Sequence, residues 1–249
     1  RKRAADPDDA SRSSYRGVVT DAPLDGKAGR LPARGLEGAV IYELHVGGFT
    51  RHPSSGVQHP GTFAGLQEKI PYLRELGITH VELLPVTAFD EQDVPEGATA
   101  RGLRNYWGYS PHSFLAPHPG YCVSTGHGAQ EFRALTQALH QAGIGVILDV
   151  VFNNPAEGGA NGPWINFKGV ANEIAYPLDA ADRRNYLDFT GCGNTVNCNH
   201  PRSPPSSCTA WNTGWKPWAW TASASISPAS LPAATTARCW ETQIGRAHV

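Results

Sequence analysis

Three short apolar segments alternate with two amphipathic segments, and this order constrains the possible fold more than any other feature of the chain. Residues 39–46, 80–86 and 146–152 are apolar enough to be strands buried inside a sheet. Residues 63–76 and 130–142 repeat apolar side chains at helical spacing. The order strand, helix, strand, helix, strand with short returns is typical of a parallel sheet, so the sequence predicts an α/β fold.

Polar and aromatic residues collect behind the carboxyl ends of these predicted strands. A long loop at 89–127 follows the second strand, and Asp149 interrupts the apolar run of the third. Active sites of α/β barrels are built from the loops at this edge of the sheet. We therefore expect the functional residues of the chain to lie there.

The composition changes abruptly after about Pro201. Between positions 203 and 240 the only charged residues are Lys216 and Arg238, whereas a globular domain contains about 25% charged residues. Five of the seven tryptophans also lie between positions 211 and 240. The sequence therefore predicts a disordered C-terminal tail at 202–249.

A shifted reading frame explains this change. Codons for 215–228 can be chosen that, read two nucleotides later, encode EAMGVDGFRFDLA, which has a helix end, a glycine turn and a strand pattern. We interpret 202–249 as a frameshifted or artefactual tail, and the chain as a fragment of a longer gene. The alternative is a genuine linker or tail rich in Ser, Pro and Trp.

Charge and cysteine content narrow the class of protein. The formal net charge is −1, which argues against a nucleic-acid partner, and no apolar run is long enough to span a membrane. Cys192 and Cys198 have no second pair at a zinc-like spacing, so we expect unpaired thiols in a reducing, cytoplasmic compartment. Residues 1–37 are polar and rich in Gly, Pro, Asp and Arg, which indicates a linker or extended loop.

Five segments carry recognisable motifs, in the chain order AVIYELHVGGF (39–49), ELLPVTAFDE (82–91), NYWGYSP (105–111), DVVFNNPAEG (149–158) and DFTGCGNTVNCNHP (188–201). Together they resemble the α-amylase superfamily of glycoside hydrolases, and within it isoamylase and the bacterial glycogen-debranching enzymes. The resemblance covers about residues 14–201. The out-of-frame string GFRFDLA also resembles the family's motif on the fourth barrel strand, whose Asp is the nucleophile.

The resemblance implies the N-terminal part of a (β/α)8 TIM barrel, about three β/α units, at 38–201. It also implies a retaining mechanism with an Asp nucleophile and a Glu acid/base, acting on glycogen or a related branched α-glucan. Both carboxylates would come from later strands, so we assign no catalytic residue and expect the chain as written to be inactive. We expect no cofactor and no metal site.

Two residues are the main candidates for the sugar site. The resemblance implies that Tyr109 stacks under the glucose at the cleavage point, where an aromatic face suits the apolar C–H face of a pyranose. It implies that Asp149 pairs with the Arg of the strand-four motif, since an unpaired carboxylate at the end of a buried strand would be costly. The alternatives are a core tyrosine in a glycine turn and a capping or turn aspartate.

Further candidates follow the third strand. The resemblance implies that Asn153 and Asn154 help to bind the sugar. The family usually has His at the position of Asn154, and Asn can also donate a hydrogen bond, with a shorter reach and without charge. We interpret Glu157 as a solvated loop carboxylate, and His45 and His112 as structural.

The predicted function is thus that of a fragment of a debranching hydrolase that cleaves α-1,6-glucosidic branch linkages. One alternative is another enzyme of the superfamily, such as a branching enzyme or a trehalose-releasing hydrolase. The segment GCGNT at 191–195 favours debranching over these two. The other alternative is a carbohydrate-binding remnant without catalytic activity.

Overall fold

The described part of the computed structural model comprises Gly17 and residues 37–197 and 221–223. The predicted linker at 1–37 therefore lies almost wholly outside the described residues. The same holds for the predicted tail at 202–249, apart from 221–223.

Four parallel strands in the described part of the chain form one sheet. They are β1 (Ile41–Leu44), β2 (His80–Leu83), β3 (Gly145–Asp149) and β4 (Thr221–Ser223), and they lie in the order β1-β2-β3-β4. In the register, Leu44 is opposite Leu83, which is opposite Leu148. The first three strands pair in parallel, and each connection between them contains helices. The predicted parallel α/β arrangement is therefore confirmed over 37–197.

The fourth strand corrects one prediction. Residues 221–223 belong to the tail that we predicted to be disordered, yet their backbone pairs with β3, with Ser223 opposite Asp149. Without a neighbour, this edge of β3 would present unpaired N–H and C=O groups, and a further parallel strand satisfies them. The rest of 202–249 lies outside the described residues.

Six α-helices lie in the described part of the chain, and none of them is long and apolar enough to cross a lipid bilayer. The predicted helix at 130–142 is confirmed as α5, whereas α1, α4 and α6 were not predicted. Two short 3-10 turns accompany them, at Pro53–Ser55 and Pro119–Tyr121. The helices are α1 (Val46–Arg51), α2 (Phe63–Glu68), α3 (Ile70–Glu75), α4 (Glu96–Thr99), α5 (Gly128–Gln141) and α6 (Phe167–Ala175).

The single helix predicted at 63–76 is instead the pair α2 and α3. Thr62 caps α2 as expected, because its side-chain oxygen accepts a hydrogen bond from the N–H of Gly65 at 3.1 Å. The helices separate at Lys69, which has φ −92° and ψ 2°. Pro71 explains the break, since proline has no N–H to donate and is tolerated only in the first turn of a helix.

The two faces of the sheet differ in character. Side chains alternate between the faces, so the register places Glu43 and Glu82 on the same face as Asp149. The helices cover the opposite face, which therefore forms the core. The core of that face contains Tyr42, Leu44, Val81, Leu83, Val146 and Leu148 from the strands, with Phe63 and Leu66 from α2 and Phe132, Leu135 and Leu139 from α5.

We expect Leu135→Ala to lower the free energy of unfolding by about 2–5 kcal/mol. The Leu135 side chain is completely buried, so its truncation removes apolar contacts and leaves a cavity. Urea unfolding followed by circular dichroism measures the change. Val170→Ala is the control, because Val170 is an exposed residue of α6 and its truncation is expected to change stability by less than about 0.5 kcal/mol. Equal losses from the two variants would contradict the described core.

Candidate functional site

A hydrogen bond joins Tyr109 to Asp149, although 40 positions separate them in the sequence. The Tyr109 hydroxyl donates to Oδ2 of Asp149, the last residue of β3. Asp149 is 7% exposed and Tyr109 is 40% exposed. The structure therefore brings together the two main candidates of the sequence analysis, with the carboxylate buried and the aromatic ring open to solvent.

A glycine turn holds the backbone just before Tyr109. Gly108 has φ +78°, and a Cβ at this position would lie 2.7 Å from Cδ1 of Phe89. The N–H of Gly108 donates to Oδ1 of Asn105 at 3.3 Å. Phe89 itself stacks on His118, with ring centroids 4.0 Å apart. Glycine is therefore required both by the left-handed backbone and by the close approach to Phe89.

Negative charge surrounds the Tyr109 hydroxyl. Burial raises its pKa above the usual value, and the hydrogen bond to Asp149 and the charges of Asp149, Glu43 and Glu82 raise the pKa further. Tyr109 therefore stays protonated and donates its hydrogen bond at neutral pH. The sequence analysis missed Glu43 and Glu82, although each is a charged residue between apolar neighbours in a strand, which is the signal that could have indicated them.

His45 connects the end of β1 to the segment before Tyr109. Its Nδ1 accepts a hydrogen bond from the N–H of Gly48 at 2.9 Å and so caps α1. Its Nε2 lies 2.7 Å from the carbonyl oxygen of Tyr106 and 3.0 Å from the hydroxyl of Tyr121. Because Nδ1 is an acceptor, the ring is neutral with its proton on Nε2. His45 thus has the structural role predicted for it.

We expect the free energy of unfolding to fall as the pH is lowered from about 7 toward about 5. Burial lowers the pKa of His45, His112 and His118 below the ordinary value of 6.5. Below that pH the unfolded chain binds protons that the folded chain excludes. Stability present above pH 6.5 is therefore lost as the pH falls toward the lowered folded-state pKa values. Urea unfolding over a series of pH values measures this slope.

Two matched variants measure how much His45 contributes to the slope of the free energy of unfolding against pH. His45→Asn is expected to reduce the slope, because Asn can still accept the N–H of Gly48 and does not titrate. His52→Asn is the control, since His52 is exposed and its Nδ1 accepts the N–H of Ser54 at 3.2 Å in the same manner. Equal changes of slope in the two variants would contradict the assignment to His45.

Asn153 and Asn154 follow β3, but they differ in exposure. Asn153 is half-buried, and its carbonyl oxygen accepts a hydrogen bond from the N–H of Val196 at 2.9 Å. Asn154 is 4% exposed. Their contact with a sugar stays a prediction, and Tyr109 is the most exposed of the four predicted site residues.

The interpretation of Glu157 as a solvated loop carboxylate is wrong. Its side chain is 0% exposed, and its carboxylate accepts hydrogen bonds from the N–H groups of Ile165, Asn166 and Lys168 and from the hydroxyl of Tyr176. These partners lie 8 to 19 positions further along the chain. They could not be inferred from the sequence, because they lie within or next to α6, a helix that was not predicted.

The described residues contain no group of three or more His, Cys, Asp or Glu side chains placed to hold a metal ion. Cys122 is a half-buried free thiol, and Cys192 is an exposed one. Burial raises the pKa of the Cys122 thiol to about 11, so it is protonated at neutral pH. Cys198 lies outside the described residues.

Comparison with known proteins agrees with this architecture. At 43% identity over 179 residues, the chain is similar to "Isoamylase 1, chloroplastic" of Arabidopsis thaliana, with 69% of the chain and 22% of the relative covered. It is 39% identical over 199 residues to "Glycogen debranching enzyme" of Enterobacter sp. (strain 638), with 79% and 30% covered. The chain therefore spans less than a third of the length of these relatives.

Solved structures and a family match support the same relationship. The crystal structure of apo pullulanase from Paenibacillus barengoltzii is similar with a TM-score of 0.66 and 28% identity, over 78% of the chain and 31% of that protein. Residues 21–223 match the family "Alpha amylase, catalytic domain", a range that includes all four strands of the sheet. The resemblance drawn from the five sequence segments is thus confirmed, and the chain belongs to the alpha-amylase family.

Proposed function

We propose that the complete protein is a retaining glycoside hydrolase that cleaves α-1,6-glucosidic branch linkages in glycogen or a related branched α-glucan. The proposal rests on the Tyr109–Asp149 pair at the carboxyl edge of a parallel sheet within an alpha-amylase catalytic domain. The choice of α-1,6 linkages is supported by relatives named isoamylase and glycogen debranching enzyme.

Tyr109 is suited to bind a sugar ring. Its aromatic ring is 40% exposed, while its hydroxyl is fixed by the buried Asp149. A ring held in this way contacts the C–H face of a pyranose with little loss of side-chain entropy on binding. The substrate-binding residues of the proposal are Tyr109 and Asp149, with Asn153 and Asn154 next to them. Similarity to a pullulanase structure complexed with maltotetraose, at a TM-score of 0.59 and 31% identity, supports a maltooligosaccharide as the ligand.

We further propose that the catalytic nucleophile is an aspartate encoded in the shifted reading frame. With the codons chosen above for 215–228, the frame shifted by two nucleotides encodes Gly, Phe and Arg from positions 221–223 and Asp from position 225. Positions 221–223 form β4, and position 223 is opposite Asp149 in the register. A restored frame would thus put an arginine beside Asp149 and an aspartate two positions further on. This agreement supports both the frameshift and the proposed ion pair of Asp149.

The nucleotide sequence tests the frameshift directly. An uninterrupted frame that encodes FRFD and continues into later strands would support the enzyme. A confirmed stop codon after Val249 would favour a carbohydrate-binding remnant without catalytic activity.

The proposed partner is a branched α-glucan, and neither nucleic acid nor a membrane is part of the proposal. The net charge of −1 agrees with an uncharged polysaccharide substrate. The two-carboxylate mechanism of glycoside hydrolysis needs no cofactor. We propose a cytoplasmic location, because Cys122 and Cys192 are free thiols, as is usual in a reducing compartment.

Analysis of the products from glycogen tests the proposed reaction. The complete protein is expected to release linear chains, each with a new reducing end. Glucan transfer without a net gain of reducing ends would indicate a branching enzyme instead. Trehalose among the products would indicate a trehalose-releasing hydrolase.

A further inference from the structure

Glu157 is a fully buried carboxylate at the start of α6. Its Oε1 accepts hydrogen bonds from the N–H groups of Ile165 and Asn166, both at 2.8 Å. Its Oε2 accepts from the N–H of Lys168 at 3.1 Å and from the hydroxyl of Tyr176 at 2.5 Å. One side chain thus satisfies backbone donors at the first turn of the helix and a phenol near its last turn.

Lys168 balances the buried charge from inside the same loop. Its Nζ donates to the carbonyl oxygens of Glu157 at 2.6 Å, Gly159 at 2.5 Å and Gly162 at 3.4 Å. The ammonium also lies 5.0 Å from the centroid of the Tyr186 ring. A buried cation with three carbonyl acceptors and an aromatic face is well satisfied. Loop 157–168 is therefore closed on itself by Glu157 at one end and Lys168 at the other.

This loop is tied to the segment that carries Tyr109. The N–H of Ala156, next to Glu157, donates to the carbonyl oxygen of Pro111 at 2.9 Å. Nδ2 of Asn166, whose N–H binds Glu157, donates to the carbonyl oxygen of His112 at 3.0 Å. Both acceptors lie within three positions of Tyr109. Glu157 fixes the positions of Ala156 and Asn166, because Ala156 is its neighbour in the chain and the N–H of Asn166 donates to its carboxylate.

We propose that Glu157 is a positioning residue. It holds residues 105–112, the Tyr109 segment, so that the Tyr109 hydroxyl stays within hydrogen-bond distance of Asp149. The inference deepens the proposed function and rests on it, because in that proposal Tyr109 is the sugar platform, the aromatic surface on which the sugar ring stacks. The Glu157 carboxylate is hydrogen-bonded to the N–H groups of Ile165, Asn166 and Lys168 and to the hydroxyl of Tyr176. It acts through the hydrogen bonds of Ala156 and Asn166 to 111–112. Placement errors of about 1 Å can cost about a hundredfold in rate, so such support matters for catalysis.

The test uses the complete protein and three variants. Glu157→Gln removes the charge and one of the two carboxylate acceptors. Asn166→Asp leaves the Glu157 carboxylate in place and keeps an oxygen to cap α6, but it removes the donor to His112. Leu139→Ala is the stability control, because Leu139 lies in the core of α5, outside loop 157–168. Each protein is assayed for kcat and KM on glycogen, thermal unfolding, and hydrogen–deuterium exchange of peptides that cover 105–112.

A positioning role predicts a loss of activity that stability does not explain. Glu157→Gln is expected to lower kcat about tenfold to a hundredfold, and Asn166→Asp is expected to lower it less. Both are expected to raise exchange at 105–112. Leu139→Ala is expected to keep kcat within about twofold of the unsubstituted protein, although its melting temperature falls by as much as that of Glu157→Gln. If Glu157→Gln fails to fold, Asn166→Asp decides the question.

Two results would overturn the inference. One is wild-type kcat and wild-type exchange at 105–112 in Glu157→Gln or, if that variant fails to fold, in Asn166→Asp. The other is a loss of kcat in Leu139→Ala that equals the loss in the loop variant, when the two variants have lost the same amount of thermal stability. If the unsubstituted complete protein hydrolyses no glycogen, the proposed function fails instead. The exchange at 105–112 then decides alone whether Glu157 positions the Tyr109 segment.

Discussion

The chain of 249 residues as written is expected to release no measurable reducing ends from glycogen. A protein in which the proposed frameshift is corrected and the proposed later strands are supplied is expected to hydrolyse glycogen. The reason is that the two proposed catalytic carboxylates, which would attack the anomeric carbon and protonate the leaving oxygen, are assigned to no residue before the proposed frameshift. Loss of general acid–base catalysis by itself removes about 10²–10⁴-fold of the rate, and loss of the covalent step removes more.

A reducing-sugar assay at equal protein concentration compares the two proteins. The comparison separates binding from catalysis, because Tyr109 is present in both and can only bind sugar. Hydrolysis by the chain as written would contradict the assignment of both catalytic carboxylates to residues outside it.

The second large effect is expected at the Tyr109–Asp149 pair in the complete protein. Tyr109→Ala and Asp149→Ala are each expected to lower kcat/KM by about a hundredfold or more, equal to about 2.7 kcal/mol of transition-state stabilisation. Tyr109→Ala removes the stacking surface. Asp149→Ala releases the Tyr109 hydroxyl, which is expected to let the ring turn away from the sugar.

Two further variants make this result specific. Tyr109→Phe keeps the ring and loses the hydrogen bond to Asp149, so it is expected to lose less activity than Tyr109→Ala, about tenfold. Tyr72→Ala is the matched control, because Tyr72 is a comparably exposed tyrosine on α3. It is expected to leave kcat/KM unchanged. A Tyr109→Ala variant as active as Tyr72→Ala would refute the proposed sugar platform.

The candidate site could be predicted only in part. The motif resemblance pointed to Tyr109 and Asp149, and the structure joins them through one hydrogen bond. The surroundings of the pair could not be inferred from the sequence. Glu43 and Glu82 approach Tyr109 only because β1 and β2 align in register with β3. The burial of Glu157 depends on α6, whose start carries the N–H donors that its carboxylate accepts.

The sequence by itself determined the alternation of the first three strands with helical segments, and the edge of the sheet at which the candidate site lies. Apolar runs and helical spacing are local properties, and parallel strands joined by helices bring their carboxyl ends to one edge. Two predictions from local sequence properties were wrong. The predicted helix at 63–76 divides because Pro71 cannot continue it, and 221–223 pair with β3 despite a composition that indicates disorder.

Only the tertiary structure decided which polar groups are buried and what satisfies them. A carboxylate in a glycine-rich loop has the same sequence signature whether water or backbone N–H groups surround it. The difference for Glu157 arises from donors up to 19 positions away, which folding alone brings to its two oxygens. Burial of a charge is favourable only when such partners converge, and that convergence is a property of the folded chain.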